Sequence, residues 1–169
     1  MNVLIRKATP DDAEALLAHA ESVMAEQIFS LTQPGEATLT LAQEKEWIVQ
    51  KNENSSHLVL VAEVANKIVG MLELSNGHRQ RIEHIAEFGM SIDRPFRNQG
   101  IGRRLIDAML SWARENPVIE KISLKVHADN DRAIHLYQSL GFVQEGHLKK
   151  ELKYGPNQYV DSLILSIWV

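Results

Sequence analysis

The sequence predicts one α/β domain with a mixed, mostly antiparallel sheet of about seven strands and about four helices. Two observations carry this prediction. The runs 58–64 and 68–74 are rich in strand-forming residues and are joined by a very short link, so they form an antiparallel hairpin. A strand at 86–92, a helix from 101 to about 115 and a strand at 121–127 follow in that order, which implies a parallel pair with a right-handed crossover.

Length and composition describe an ordinary globular chain. Its 169 residues, 44% hydrophobic and 24% charged, suffice for one domain with its own core. A net charge of -4 argues against a nucleic-acid partner, and the absence of cysteine excludes disulfides and thiol nucleophiles. The first residues lack the apolar run of a secretory signal and no run is long enough to span a bilayer, so we expect a cytoplasmic protein without a membrane partner.

The first half of the chain contains two predicted helices. A short strand at 3–5 precedes Thr9, which with the following proline and two acidic residues predicts a helix start, and the helix runs to about Glu26. The segment 27–39 shows no period and is predicted to be a loop that faces a substrate. Thr40 opens a second helix with the pattern of a capping box.

The second half ends in two predicted strands. Asp129 or Asn130 caps a fourth helix, and Gly141 ends it. A short strand is predicted at 142–146. The last strand, 160–169, is the most apolar, so we expect it to lie centrally in its half of the sheet and to offer a surface for a homodimer.

A pair of glycines opens the helix that follows strand 86–92. Arg97 precedes Gly100 and Gly102 in the pattern Arg-x-x-Gly-x-Gly, and the first turn of a helix offers N–H groups and a positive dipole end to an anion. The pattern fits either a pyrophosphate cradle or a plain glycine-rich connection with a solvated basic face. A Rossmann fingerprint would need a third glycine where Leu105 stands, and a Walker A order is absent.

A second group of residues lies on the predicted fourth helix. Asn130, Ala133 and Tyr137 stand at i, i+3 and i+7, so they share one helix face. A small residue between two hydrogen-bonding ones leaves a groove for a ligand. The alternative is that Asn130 is only a helix cap and Tyr137 only a core ring.

The two groups together resemble the GNAT superfamily of acyl-CoA-dependent N-acetyltransferases. The shared order is strand, Arg-x-x-Gly-x-Gly, helix, strand, Asn-x-x-Ala-x-x-x-Tyr and Gly-Phe, and the resemblance covers nearly the whole chain. Glu145-Gly146 followed by Gln158-Tyr159-Val160-Asp161 resembles the branch with ribosomal-protein, amino-acid and polyamine acetyltransferases. The resemblance implies a GNAT-like sheet splayed between strands four and five. It also implies direct acetyl transfer from acetyl-CoA, without a metal, to a primary amine of a small molecule or of a protein N-terminus.

The resemblance also assigns residues to the cosubstrate. Strand-four backbone groups would pair with the pantetheine amides, the glycine-rich segment would hold the pyrophosphate, and the fourth helix would line the arm. These positions are Met90, Ile92, Arg97, Gln99, Gly100, Gly102, Arg103, Asn130 and Ala133.

The same resemblance places Tyr137 near the sulfur as general acid for the leaving thiolate. For the base, we favour Glu87, whose pKa would rise if covering helices desolvated it, over His84, whose ordinary pKa is already near neutral. Glu83 is a third candidate. The plainer alternatives are an ion pair between Glu87 and an arginine of the preceding loop, and a solvated position for His84 at the strand start.

A rival function is a non-catalytic, regulatory module that only binds acyl-CoA. Tyr137 favours the enzyme, because binding alone does not need the phenol. A metal hydrolase is disfavoured, since the seven histidines include no His-Glu-x-x-His motif. The acceptor is not determined, and we expect it to be framed by the loop 27–39, the approach to strand four and the segment 147–159.

Overall fold

The structure is a computed structural model, which describes residues 2–36 and 38–169. In this part of the chain the helices and strands are β1 (Leu4–Lys7), α1 (Ala13–Ala25), α2 (Leu41–Glu53), β2 (Leu58–Val64), β3 (Lys67–Asn76), β4 (Ile85–Ile92), α3 (Ile101–Glu115), β5 (Lys121–His127), α4 (Asp131–Ser139), β6 (Val143–Gly155) and β7 (Gln158–Trp168). None of these helices combines the length and the apolar character that crossing a membrane requires.

The strands form one sheet in the order β1-β2-β3-β4-β5-β7-β6. The pair β4–β5 is parallel, whereas β1–β2, β2–β3, β5–β7 and β6–β7 are antiparallel. This arrangement confirms the predicted mixed sheet and its crossover through α3. By contact density the chain forms two compact units, the first comprising Met1–Ser75 and Gly89–Pro117, the second Asn76–Phe88 and Val118–Val169.

The first unit is built on β2, which is buried over five successive residues. Alternate side chains of a strand point to opposite faces, and Val59 and Val61 pack with Leu16 of α1 and Ile48 of α2. Helix α3 also contacts β2, and it buries the apolar stripe that its sequence predicts. Helices therefore pack on a strand that is apolar and buried over five successive residues.

A network of charged side chains connects β1, the start of α1 and β2. The Arg6 guanidinium donates to both carboxylate oxygens of Asp12, at 2.7 and 2.8 Å, and also to Glu63 at 2.9 Å. The backbone N–H of Thr9 donates to Asp12 at 2.8 Å, completing the predicted helix start. These donors, the Arg6 guanidinium first, lower the pKa of Asp12 to about 2.

Acid should therefore destabilise the protein through Asp12. Its folded pKa lies below the unfolded value of 3.8, so the stabilisation is fully present above pH 3.8 and is lost as the pH falls through about 2. We expect a loss of about 1–2 kcal/mol after solvent screening at the partly exposed Arg6. Urea unfolding between pH 7 and pH 2 measures it, and Asp12→Asn should flatten that part of the profile. An unchanged slope in the variant would contradict the assignment.

The second unit contains the start of β4 together with β5, β7, β6 and α4. β5 pairs with β4 from Ile85↔Lys121 to Glu87↔Ser123, while its other edge pairs with β7 along its whole length. On one face, Tyr137 of α4 packs edge to face against Phe88 and Phe142, with ring centroids 5.9 Å apart in both contacts. The sheet of this unit is therefore covered by α4 on that side.

The opposite face of the second unit is polar. Lys121 donates to Glu145 at 2.7 Å, and Lys125 donates to Glu151 at 2.8 Å. Side chains alternate along β5, so Ser123 between the two lysines shares this face. Ion pairs here join β5 to β6 at the surface.

The predicted short strand at 142–146 is wrong in length. β6 runs from Val143 to Gly155. A tight turn, in which Asn157 has a φ of 60°, connects it to β7. The added residues are mostly polar and exposed, so hydrophobicity gave no strand signal there. Backbone pairing with β7, interrupted by register shifts, holds them.

The position of β7 agrees with the prediction that the last strand is central in its half. It lies between β5 and β6, so both of its edges are paired within the described chain. A homodimer through this region stays a prediction, and it would have to use exposed side chains such as Trp168 rather than a strand edge. The β2–β3 link is also one residue shorter than predicted, because Lys67 already belongs to β3 and only Ala65 and Asn66 form the turn.

Candidate active site

Residues 93–102, here called the glycine loop, join β4 to α3. After a single 3₁₀ turn at Arg94–Phe96, Asn98 and Gly100 have left-handed backbone conformations with φ of 63° and 80°. Gly100 is the N-cap of α3, and its carbonyl accepts from the N–H of Arg104 at 3.1 Å. A Cβ at Gly100 would meet none of the described atoms within 4 Å. The loop therefore leaves open space at the start of a helix.

The first turn of α3 fits a pyrophosphate. The helix is 15 residues long, and its first-turn N–H groups and positive dipole end suit an anion. Gly102 is buried, whereas Arg103 and Arg104 are exposed beside it and add positive charge. Gln99 stabilises the loop, since its Nε2 donates to the Pro95 carbonyl at 2.8 Å. These residues can hold the diphosphate of an acyl-CoA.

Arg97, the first residue of the glycine motif, is engaged by protein groups. Its two terminal nitrogens donate to both oxygens of Glu26, each at 2.7 Å, and its Nε donates to the Ile92 carbonyl at 2.8 Å. All three guanidinium nitrogens are thus used within the first unit. A direct phosphate contact by Arg97 stays a prediction, and these bonds give the side chain a fixed position in the loop.

At the end of β4, the backbone groups of the two residues predicted to pair with pantetheine point away from β3. The N–H of Asp93 donates to Val69 of β3 at 2.9 Å. Backbone groups of successive residues point to opposite edges of a strand, so Met90 and Ile92 direct their N–H and C=O groups to the other edge. That edge is the one an extended pantetheine arm would need in order to pair with β4.

Tyr137 is buried on α4 in the second unit. It is 7% exposed and lies against Phe88 and Phe142. Burial raises the pKa of its phenol to about 12, so the hydroxyl keeps its proton at neutral pH. A protonated phenol in an aromatic pocket can act as a proton donor.

Asn130 caps α4 and shares a helix face with Ala133. Its side-chain oxygen accepts from the backbone N–H of Ala133 at 3.2 Å. The predicted cap is therefore Asn130 rather than Asp129. The predicted contact of both residues with a cosubstrate arm is compatible with this cap, because the amide also carries two donors.

Glu87 lies on the polar face of the second unit and is exposed. The expectation that helices cover it is wrong, because α4 packs on the opposite face, where Phe88 lies. Glu87 pairs in register with Ser123. It also interacts electrostatically with Lys125. The pKa of Lys125 is raised mainly by its hydrogen bond to Glu151 and further by the charge of Glu87. The carboxylate is therefore open to solvent and to a substrate that approaches this face.

His84 precedes β4 and is partly buried. Its carbonyl accepts from the N–H groups of Glu120, at 2.9 Å, and Lys121, at 3.1 Å, so its backbone is fixed at the entrance to β5. The histidine is thus in a structured position rather than on a solvated strand start. Within residues 2–36 and 38–169, His, Asp and Glu side chains form no group of three that could hold a metal ion.

One polar group near the site was missed in the sequence. His19 lies on the buried face of α1, with Nδ1 2.7 Å from Asp93 Oδ1 and Nε2 2.8 Å from Ser91 Oγ. Burial lowers the pKa of His19. The sequence did contain a signal for it. His19 stands three residues after Leu16, on the apolar face of the helix. A polar group buried there needs a hydrogen-bond partner.

Comparison with known proteins agrees with this geometry. Residues 20–142 match the acetyltransferase (GNAT) family. The L-amino acid N-acetyltransferase AaaT of Escherichia coli is 33% identical over 108 residues, which are 63% of this chain and 65% of AaaT. A spermidine N(1)-acetyltransferase of Vibrio cholerae is 32% identical over 100 residues, 59% of this chain and 57% of that protein. The matched region thus spans less than two thirds of both relatives.

The whole fold has a counterpart among solved structures. The crystal structure of an acetyltransferase of the GNAT family from Streptococcus pneumoniae superposes with a TM-score of 0.95 at 26% identity, covering 99% of this chain and 100% of that one. The family match, which spans more than half of the chain, confirms the family that the two motifs predicted. This chain belongs to the GNAT family of acetyltransferases.

Proposed function

We propose that this chain is an N-acetyltransferase that moves an acetyl group from acetyl-CoA to a primary amine by direct attack in a ternary complex. The observation that carries the proposal is the cradle at the start of α3, where Gly100 leaves open space beside helix N–H groups. The relatives named for amino-acid and spermidine acetylation support an amine acceptor. We further propose that residues 1–169 act as a single catalytic domain.

The glycine loop and the outward edge of β4 at Met90 and Ile92 would bind acetyl-CoA. Tyr137 would supply the proton that a leaving thiolate needs, because burial keeps its phenol protonated. Glu87, exposed on the polar face, would take the proton of the amine directly or through water, with His84 as the rival. A backbone N–H of β4 would stabilise the oxyanion.

We propose that the acceptor contacts the approach to β4 and the hairpin formed by β6 and β7, both in the second unit. The hairpin carries Glu151 beside Lys125, and Tyr154, whose hydroxyl lies 3.2 Å from His127 Nδ1. These carboxylate and hydroxyl groups suit a polar, amine-bearing acceptor. Amino acids, polyamines and protein N-termini are the classes to assay.

Calorimetry with acetyl-CoA, followed by thiol release against a panel of amines, tests the function. We expect micromolar binding and release of CoA thiol that depends on one class of amine. Binding without release from any amine would instead support a regulatory acyl-CoA-binding module. Failure to bind acetyl-CoA would contradict the cradle and the proposed activity together.

A further inference from the structure

Helix α1 is joined to the glycine loop by an ion pair at its C-terminal end. Glu26, the C-cap of α1, accepts two bonds of 2.7 Å from Arg97, in the side-by-side geometry that makes a guanidinium–carboxylate pair directional. Only 13% of the Glu26 side chain and 20% of the Arg97 side chain are exposed. The pair is therefore shielded enough from solvent to hold one geometry.

The same guanidinium also reaches the end of β4. Its Nε donates to the Ile92 carbonyl at 2.8 Å, so one side chain connects α1, β4 and the loop that leads to Gly100. Glu26 neutralises the charge of Arg97, which reduces what that charge could contribute to binding a phosphate. The arrangement is suited to fixing a backbone position.

A second contact holds α1 on the same strand. The imidazole of His19, 1% exposed, bridges Asp93 Oδ1 and Ser91 Oγ. A carboxylate only accepts, so Nδ1 carries the proton toward Asp93, and Nε2 accepts from the Ser91 hydroxyl. Two turns apart, His19 and Glu26 thus hold the strand end and the loop. Helix α1 forms a rigid support for both.

We propose that Glu26 is a positioning residue of the acyl-CoA site, which holds Arg97 and through it the glycine loop in the conformation that receives the pyrophosphate. The inference rests on the proposed function. Because the loop binds through its backbone and the helix start, a small displacement is enough to weaken binding. Arg97 then acts through the position of the loop, and loss of Glu26 removes the part of that positioning that depends on the ion pair.

A double-mutant cycle tests this coupling. Glu26→Gln should weaken acetyl-CoA binding by about tenfold, and Arg97→Gln by at least as much, because it also removes the bond to the Ile92 carbonyl. The double variant should bind no more weakly than Arg97→Gln alone, since both single variants remove the same ion pair. The KM for acetyl-CoA should rise with the Kd while kcat at saturation holds. The exposed Glu21→Gln, on the same helix, is the matched control and should bind like the wild type.

S-acetylpantetheine, which lacks the pyrophosphate, separates positioning from general damage. Its turnover, measured below the melting transition of both proteins, should be the same in Glu26→Gln and in the wild type. An equal loss with both donors would overturn the proposal, because the damage would then be structural.

Three further results would overturn it. If Arg97→Gln weakens binding while Glu26→Gln binds acetyl-CoA as tightly as the wild type or more tightly, Arg97 contacts the phosphate itself. If the wild type fails to bind acetyl-CoA, the proposed function fails first. If the wild type binds acetyl-CoA and both variants bind it equally tightly, the proposed function stands and only the role of Glu26 is rejected.

Discussion

Tyr137→Phe is expected to lower turnover by about 100-fold or more, the range of a lost general acid, while acetyl-CoA affinity stays within about twofold. The phenylalanine keeps the aromatic packing on Phe88 and Phe142, so only the hydroxyl is removed. Because burial raises the pKa of Tyr137 to about 12, the phenol is protonated throughout the range of ordinary assays. Steady-state kinetics together with calorimetry measure the two quantities.

The control for this variant is Ser139→Ala, which removes a hydroxyl from the same helix. That hydroxyl donates to the Leu136 carbonyl at 2.8 Å, within the same helix. If turnover of Tyr137→Phe stays within about twofold of the wild type, a difference well under 1 kcal/mol in the barrier, the proton comes from water or another group.

Glu87→Gln is expected to lower kcat/KM by about 100-fold and to remove the acidic limb of the pH–rate profile. The amide keeps the size of the side chain but cannot take the proton of the amine. Since Glu87 is exposed beside Lys125, the substitution should leave the melting temperature unchanged. A pH–rate profile of the variant with saturating acetyl-CoA is the measurement.

His84→Gln is the comparison that separates the two bases. If Glu87 is the base, this variant keeps the acidic limb, because only the partly buried ring near the start of β4 is lost. An acidic limb that survives Glu87→Gln and disappears in His84→Gln would assign the base to His84. A limb that survives both would leave Glu83 or water as the acceptor of the proton.

Several features of the fold were predictable because they depend on neighbours in the sequence. The capping box at Thr40, the start of α3 after Gly100 and the end of α4 at Gly141 all follow from local backbone chemistry. The strand β6 was underestimated for the opposite reason. Its polar half is held by β7, and nothing local to that half indicates a strand.

The sequence by itself predicted the family, the mixed sheet and the glycine loop that precedes α3, because glycine spacing, hydrophobic period and motif order are properties of short segments. Only the tertiary structure decided how the site is supported. His19 meets Ser91 across 72 residues, and Glu26 meets Arg97 across 71. The tertiary structure also placed Glu87 on an open face. Alternation along a strand shows which residues share a face but not what covers that face. Partners so distant in the chain are chosen by packing, which no local pattern encodes.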